Sequence, residues 1–225
     1  MTKVKQPSDG KGSLRDIQLL VNKNQGLIDH HIKRVFPTLL NDDIEWQSPL
    51  DKDDYAEYRD NDFIKRVGLD PQEIKLGTFW PKGGPQWDAL ATTTSKRIIL
   101  VEAKANIPEV VTPATGASPK SKDLIDKSLK ETKDYLGLKN EVDWSGTFYQ
   151  YTNRLAHLYF LRVKHKKPAY LINIYFIGDK DVNGPDTKSE WKCALQVMYT
   201  YLGLSRHKLS KYMADIFIDT DDLRK

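Results

Sequence analysis

Apolar and polar positions alternate with helical spacing over the first third of the chain. Leu14 opens an apolar series with steps of three and four residues that continues almost to Pro37, which predicts an N-terminal helix over residues 13–36. A second helix is predicted over residues 51–67. The short apolar run of residues 76–80 is interpreted as the first strand of a sheet.

A β-hairpin is the next predicted element. Residues 97–105 form a short, apolar, β-branched run typical of a buried strand, and residues 85–92 are also strand-like. If the connection between them centres on Ser95, paired residue numbers sum to 190, so Asp88 lies opposite Glu102 on the same face. A connection of two or four residues would place the two acids on opposite faces.

The polar end of this hairpin has the composition of a metal site. Glu102 and Lys104 are two residues apart in a strand, so their side chains point to one face. Two carboxylates facing each other destabilise a sheet unless a cation offsets them. A hard divalent ion, Mg²⁺ by preference with Mn²⁺ as a substitute, suits Asp88, Glu102 and the main-chain carbonyl of Ala103. Such an ion would acidify a bound water and neutralise charge on phosphate oxygens.

Lys104 has two candidate roles beside such a metal. It could help to deprotonate the attacking water, or it could remain charged and stabilise the transition state. The acid-x-lysine triplet alone is not specific, because it recurs at residues 73–75, 131–133, 186–188 and 190–192. Those four copies do not follow a buried strand with an aspartate on the preceding hairpin arm. The alternative interpretation of Asp88, Glu102 and Lys104 is a surface salt bridge worth about 0–1 kcal/mol.

Asp88 and the Glu102-x-Lys104 triplet on adjacent strands resemble the motif of the PD-(D/E)XK nuclease superfamily. The resemblance covers residues 51–178 and implies the restriction-endonuclease-like fold, an α/β fold with a mixed central sheet flanked by helices. It also implies Mg²⁺-dependent hydrolysis of nucleic-acid phosphodiester bonds, with Asp88 and Glu102 as metal ligands and Lys104 as the catalytic lysine. The chain departs from the family pattern because two residues separate Pro85 from Asp88.

Many members of that superfamily take a further acid from the first core helix. Glu57 is the candidate for this additional metal ligand, with Asp53, Asp54 and Glu45 as alternatives. The competing interpretation of Glu57 is a solvated charge on a helix.

Three residues are candidates for substrate binding. Gln150 and Arg154 lie one turn apart on a long core helix predicted over residues 145–164, and a guanidinium suits phosphate binding. Some members carry a Gln-x-x-x-Tyr motif on this helix, which is incomplete here because Arg154 takes the tyrosine position. Lys82 belongs to a glycine-rich turn before Asp88 whose bare backbone would let a phosphate approach, although an ordinary hairpin connection is the alternative.

The remaining segments are assigned from the same patterns. Residues 107–140 depart from the minimal fold and are predicted to be an insertion, with a proline-rich loop followed by an amphipathic helix over residues 121–136. Its lysines could contact DNA, but interleaved acids favour a solvated face. Three further elements are predicted: a strand over 170–177, a helix over 189–202 and an edge strand over 215–219.

A competing metal motif begins at Asp179. With Asp181, Asn183 and Glu190 it matches the EF-hand calcium-loop pattern. However, the loop follows a strand rather than a helix, and Glu190 also fits a capping box with Thr187. A capped turn is therefore the default interpretation, and calcium binding is the alternative.

Length, charge and cysteine content constrain the class of protein. The 225 residues predict one domain over residues 13–225 behind a disordered tail over residues 1–12. The formal net charge of only +4 means that any surface that binds nucleic acid must be local. A single cysteine, Cys193, fits a reducing cytosol, so we expect a cytoplasmic protein. No apolar stretch approaches the length of a membrane span, so no membrane partner is expected.

These observations together predict a Mg²⁺-dependent deoxyribonuclease with DNA as its partner. The alternative from a different class is a nucleic-acid-binding or assembly protein that keeps the same fold without turnover. A calcium-regulated interaction module is a third interpretation. The choice between DNA and RNA, the mode of cutting and a homodimer that cuts both strands are left open by the sequence.

Overall fold

The computed structural model describes residues 3–139, 141–204 and 206–224. Its strands are β1 Lys3–Val4, β2 Ile44–Ser48, β3 Glu57–Tyr58, β4 Ala89–Thr93, β5 Ile98–Lys104, β6 Ala169–Ile177 and β7 Met213–Asp219. Its α-helices are α1 Ser13–Lys23, α2 Gln25–Val35, α3 Asp60–Arg66, α4 Pro71–Ile74, α5 Pro119–Leu136, α6 Tyr149–Tyr159 and α7 Lys188–Leu202. Short 3₁₀ helices lie at Pro37–Leu39, Asp51–Asp53, Leu76–Thr78, Ile107–Glu109, Lys180–Val182, Ser210–Tyr212 and Thr220–Leu223, and a π-helical turn, Phe160–Lys164, extends α6.

A five-stranded mixed sheet in the order β2-β4-β5-β6-β7 forms the centre of the protein. The strands β2, β4 and β5 pair antiparallel, whereas β5, β6 and β7 pair parallel. Almost every residue of β5 and β6 is buried, which explains their continuous apolar sequences. The protein is therefore α/β, with a mixed sheet flanked by helices.

Helices cover both faces of this sheet. The helices α1 and α2 pack against one face, together with the β5 residues Ile99, Val101 and Ala103. The helices α3, α5, α6 and α7 pack against the other face, together with Ile98 and Leu100. Because side chains alternate along a strand, the even-numbered residues at the end of β5 point toward the α6 side.

The predicted hairpin and its register are confirmed over β4 and β5, whereas residues 85–88 of the predicted strand lie before β4, so the pairing ends one residue short of Asp88 and Glu102. The pairs Ala89–Val101 and Thr92–Ile98 both sum to 190, as expected for a connection centred on Ser95. The Thr93 N–H donates to the Arg97 carbonyl over 3.0 Å, so three residues form the turn. Lys96 takes the left-handed conformation, with φ of 57°, that a glycine commonly supplies in such turns.

The structure corrects the helix predicted over residues 13–36. It is two helices, α1 and α2, separated at Asn24. The Asn24 side-chain amide donates to the carbonyls of Leu19 and Leu223, both over 3.3 Å. An asparagine that binds backbone groups in this way competes with continuation of the helix.

Two other predicted elements in the first eighty residues are also wrong. The helix predicted over residues 51–67 is a 3₁₀ turn, the strand β3 and the short helix α3, because Asp54 and Tyr55 adopt positive φ values that a helix does not accommodate. The strand predicted over residues 76–80 is a 3₁₀ turn after which Phe79 and Trp80 are buried in the core. The first antiparallel strand of the sheet is instead β2.

Residues 3–12, predicted to belong to a disordered tail, adopt defined structure. The strand β1 pairs antiparallel with β3, placing Val4 opposite Glu57. The carbonyl of Pro7 accepts a hydrogen bond from the Gln18 side chain over 3.0 Å. Backbone pairing needs no apolar side chains, so a polar composition did not reveal it. The first two residues of the predicted tail lie outside the described residues.

The second half of the chain agrees more closely with its sequence pattern. The segment predicted to be an insertion, residues 107–140, contains a loop and α5, whose Ile125 and Leu129 join the core beside α6; its last residue, Asn140, lies outside the described residues. The predicted helix over 145–164 corresponds to α6 and its π-helical turn. The helix α7 and the strands β6 and β7 lie where they were predicted. Among the described residues, we find no helix with the length and apolar character needed to cross a membrane.

Candidate active site

The two strands of the hairpin stop pairing at Asp88, and this opening forms the candidate site. Ala103 extends beyond the last pair of the ladder, Ala89 and Val101. Its N–H donates to the Asp88 carboxylate over 2.7 Å. Because the N–H and carbonyl of a strand residue point to the same edge, the Ala103 carbonyl lies on the Asp88 side of β5.

Glu102 is buried between two cations. Its Oε2 accepts a hydrogen bond from the Arg154 Nε over 2.6 Å, and its Oε1 forms an ion pair with the Lys104 ammonium. Burial disfavours the charged form of Glu102, but Arg154 and Lys104 outweigh that effect and lower its pKa below the usual range. Glu102 is therefore a carboxylate, and Lys104 is held beside it as predicted.

Asp88 lies in the opposite electrostatic situation. Burial, followed by the negative charge of Glu102, raises the pKa of Asp88 well above its usual value. The negative charge of Glu102 therefore adds to burial in disfavouring a charged carboxylate at Asp88. A divalent cation between the two carboxylates would offset this effect.

Glu57 is the third acid at the site, although it comes from β3 and not from a helix. Its carboxylate is buried and accepts hydrogen bonds from the side-chain amides of Gln6, over 2.9 Å, and Gln86. Burial raises the pKa of Glu57, with a smaller contribution from the charge of Glu102. The interpretation of Glu57 as a solvated helix charge is wrong.

The alternatives to Glu57 are directed elsewhere. Asp53 pairs with Lys3 and also with Arg66. Asp54 pairs with an exposed lysine of the N-terminal segment, and Glu45 is exposed on β2. Glu57 is thus the one of these four acids that lines the same cleft as Asp88.

That cleft has a volume of about 430 Å³. Besides Asp88 and Glu57, its walls include Gln150 and Arg154 from α6 and the loop of residues 112–116. Gln150 also lines a small adjoining cavity with Glu102 and Lys104. The structure therefore places Gln150 in the same cleft as Asp88 and Glu57, and its predicted contact with substrate stays a prediction.

The role predicted for Arg154 changes, because its guanidinium is already engaged. Only 3% of the residue is exposed. Besides Glu102, it donates to the Gln86 carbonyl over 2.6 Å and to the Asn153 side chain over 2.9 Å, and it lies 4.9 Å from the centre of the Trp87 ring. Arg154 therefore positions Glu102 and the segment leading to Asp88.

Lys82 is not brought to the carboxylates. It is exposed and lines a neighbouring cleft with Lys75 and Trp80. The glycine-rich turn that contains Lys82 folds against Asp60, whose carboxylate accepts the N–H groups of Gly83 and Gly84 over 3.1 and 3.0 Å.

Sequence reasoning missed Gln6, Gln86 and Trp87. The last two are neighbours of Asp88, so proximity in the chain was a usable signal for both. No sequence signal connects Gln6 to Glu57, because the two residues are 51 positions apart and meet only through the pairing of β1 with β3.

The donor set that could hold a metal combines side chains with main chain. Within residues 3–139, 141–204 and 206–224, no group of three or more His, Cys, Asp or Glu side chains is arranged as a metal site. The available oxygens are those of Asp88 and Glu102, the Ala103 carbonyl and the Glu57 carboxylate, which lines the same cleft as Asp88. A carboxylate offers about four acceptor positions, so Asp88 and Glu102 keep some beyond their present hydrogen bonds. Hard oxygens of this kind fit Mg²⁺ or Mn²⁺.

The competing calcium loop is engaged in other interactions. The capping box predicted between Thr187 and Glu190 is present at the start of α7. Asp179 is buried and Asp181 is half-exposed, and both pair with Arg15 of α1. The default interpretation of this segment as a capped turn is confirmed.

Comparisons with models of known protein families, with curated proteins and with solved structures find no match for this chain. The class of protein is therefore defined by its own geometry. It is an α/β protein in which three acids, one lysine and one buried arginine meet where a central hairpin opens.

Proposed function

We propose that the protein is a Mg²⁺-dependent nuclease of the PD-(D/E)XK type that hydrolyses DNA phosphodiester bonds. The end of the β4–β5 hairpin carries this proposal, because the Asp88 carboxylate accepts the Ala103 N–H just beyond the last pair, Ala89 and Val101, next to Glu102 and its partner Lys104. The antiparallel strands β2, β4 and β5, followed by the helices α5 and α6 and the parallel strand β6, support a restriction-endonuclease-like fold.

Asp88, Glu102 and the Ala103 carbonyl would hold the metal in this proposal, with Glu57 as a further acid on the same side. The metal would supply a more acidic water and a Lewis acid for the phosphate oxygens. Burial and the charge of Glu102 raise the pKa of Asp88, so a bound cation would offset the cost of its charged form. The chain itself contributes the fixed spacing of the acids.

Lys104 is assigned to electrostatic stabilisation. Its side chain forms an ion pair with Glu102, which holds it beside the proposed metal ligands. A charged amine beside the metal ligands stabilises negative charge that develops on the phosphate. Gln150, which faces the same cleft, is assigned to contact the substrate, and Arg154 is assigned to position Glu102.

A nucleic-acid-binding protein without turnover is the second candidate. The observation in its favour is that both oxygens of Glu102 already accept charged donors, from Arg154 and from Lys104. If those contacts were kept in the presence of Mg²⁺, the fold would bind nucleic acid without supplying a complete metal site.

Cleavage of DNA separates these two candidates. Supercoiled plasmid and linear DNA are incubated with the wild-type protein in Mg²⁺ and in EDTA, and with Asp88→Asn in Mg²⁺. We expect cutting only by the wild type in Mg²⁺, with a loss of at least about 100-fold in Asp88→Asn because charge stabilisation at the phosphate is removed.

The matched control is Asp186→Asn. Asp186 belongs to another acid-x-lysine triplet but lies in an exposed ion pair with Lys180. This variant should cut like the wild type. Cutting that survives both EDTA and Asp88→Asn would refute the proposal, whereas DNA binding without cutting would select the second candidate.

A further inference from the structure

A second cleft lies beside the candidate active site and carries a local positive charge. It has a volume of about 680 Å³, and we call it the lysine cleft, after Lys75 and Lys82 on its rim. Among the described residues that line it, three are basic and only Asp60 is acidic, a net charge of 3 − 1 = +2. The excess of positive charge is large for a chain whose net charge is +4 over 225 residues.

The two lysines are available to a ligand. Both are exposed, and in the described part of the chain neither forms an ion pair with a carboxylate. The third basic residue, Arg59, lies directly after β3 at the edge of the same cleft. Exposed, unpaired lysines around a concavity are the feature that attracts a polyanion through release of counterions.

The Asp60 carboxylate lines the lysine cleft and is bound by main-chain N–H groups. The N–H groups of Gly83 and Gly84 converge on the carboxylate of Asp60. Gly83 has φ of 82°, a conformation suited to glycine, and a side chain added there would meet open space. Successive main-chain amides in such a turn form a recognised anion-binding arrangement, and here the Asp60 carboxylate occupies it.

The lysine cleft is close to the carboxylates. Gly84, whose N–H donates to Asp60 of the cleft, is four positions before Asp88, a span of at most about 14 Å at about 3.6 Å per residue. The Trp87 N–H donates to the Tyr58 carbonyl over 3.1 Å and anchors this connection to β3. One strand of DNA advances about 3.4 Å per phosphate, so the cleft lies within about four nucleotides of the acids.

We propose that the lysine cleft binds the backbone of the DNA strand that is cut, within about four nucleotides of the cleaved bond. Lys75 and Lys82 contact its phosphates. The identification of the ligand as DNA rests on the proposed nuclease function. The existence of the cleft and its positive charge are independent of that proposal.

The test measures binding separately from cleavage. Anisotropy of a fluorescent 20-base-pair duplex is titrated in EDTA over a series of salt concentrations, with wild type, Lys75→Ala, Lys82→Ala and the double variant. Each lost phosphate contact should lower the slope of log affinity against log salt by about 0.9, and the double variant by about 1.8. Asp60→Asn, which removes the acidic charge of the cleft, should tighten binding.

Lys23→Ala is the matched control. Lys23 is an exposed lysine at the end of α1, on the opposite face of the sheet. For Lys23→Ala, the slope of log affinity against log salt should equal that of the wild type. A double variant with the wild-type slope, or a wild-type protein that does not bind the duplex, would overturn the inference.

The two proposals fail in distinguishable ways. If the wild type binds DNA through Lys75 and Lys82 but does not cut it in Mg²⁺, the nuclease proposal fails and the binding site stands. If the double variant binds and cuts DNA as the wild type does, the nuclease proposal stands and the lysine cleft is excluded as its DNA contact.

Discussion

Arg154 is the residue whose removal should most disturb the candidate site. Its guanidinium makes a buried ion pair with Glu102, with 4% and 6% of the two side chains exposed. Lys104 stays beside the buried Glu102 carboxylate when Arg154 is removed, so we place the cost at about 3 kcal/mol, the lower end of the range for breaking a buried ion pair. We therefore expect Arg154→Met to lower the free energy of unfolding by that amount, as measured by urea denaturation monitored by tryptophan fluorescence.

The control for Arg154→Met is a substitution in a solvent-exposed ion pair. Lys130 and Asp134 form a pair on α5 with 75% and 62% of their side chains exposed. Lys130→Ala should change the free energy of unfolding by no more than about 1 kcal/mol. A similar small effect for Arg154→Met would contradict the assignment of Arg154 as the residue that holds Glu102.

His157 should give the protein a pH-dependent stability. The residue is buried among aromatic rings, with Nδ1 against the Asn153 carbonyl over 2.8 Å, and burial lowers the pKa of His157 to about 3. The unfolded chain takes up a proton near pH 6.5 and the folded chain does not, so stability falls as the pH falls from about 6.5 toward 3. The contribution is about 1.4 kcal/mol per pH unit.

A comparison of two proteins isolates this effect. Free energies of unfolding are measured at about pH 6 and pH 4.5 for the wild type and for His157→Leu, which retains the apolar packing. The variant should lose about 2 kcal/mol less than the wild type over this interval. Parallel pH profiles would show that His157 is not neutral and buried in the folded protein.

At the residue scale, the local sequence pattern predicted which residues of the hairpin form the candidate site. It did not predict the contacts between residues that are far apart in the chain. Asp88, Glu102 and Lys104 could be placed because alternation along two strands and one turn length fix their relation. The contacts of Arg154 and Gln6 depend on how α6 and the N-terminal segment pack, and no periodicity encodes that packing. The prediction of the candidate site was therefore incomplete for residues whose partners are far away in the chain.

At the element scale, the N-terminus of α7 provides a defined test. Thr187 accepts the N–H of Glu190 as part of the capping box. Thr187→Ala should lower the free energy of unfolding by about 1 kcal/mol, measured by thermal denaturation. The control is Ser118→Ala at the start of α5, where the side chain makes no capping hydrogen bond and the effect should be close to zero.

The same element decides the calcium interpretation. Glu190 is used by the capping box, and Asp181 is paired with Arg15. Added Ca²⁺ should therefore leave the melting temperature unchanged. A calcium-dependent rise that disappears in Asp181→Ala would show that the loop binds the ion and that the capped turn is not its only state.

Elements with a strong apolar pattern were predicted well, and short polar ones were not. The strands β5 and β6 contain long runs of buried apolar residues, which are typical of central strands with both faces covered. The strand β2 has only Ile44 and Trp46 as apolar residues, and β1 and β3 have two residues each, so their hydrophobic patterns are too short to indicate a strand. Pairing of backbone groups decides their structure.

At the scale of the whole molecule, the site lies where two kinds of pairing meet. The strand β5 is antiparallel to β4 and parallel to β6, and it continues past the end of β4. This overhang exposes the Ala103 backbone to Asp88 and places Glu102 over α6. The α/β class followed from local patterns, whereas the order of the strands depends on contacts between distant segments and was not fixed by them.

Binding of Mn²⁺ tests the central claim most directly, because it asks whether Asp88 and Glu102 hold one divalent ion. Free Mn²⁺ is followed by electron paramagnetic resonance during titration with the wild type, Asp88→Asn, Glu102→Gln and the control Asp186→Asn. The account predicts one bound ion per chain in the wild type and the control, and its loss in Asp88→Asn and Glu102→Gln. A wild-type protein that binds no Mn²⁺, or binding that Asp88→Asn leaves unchanged, would contradict it.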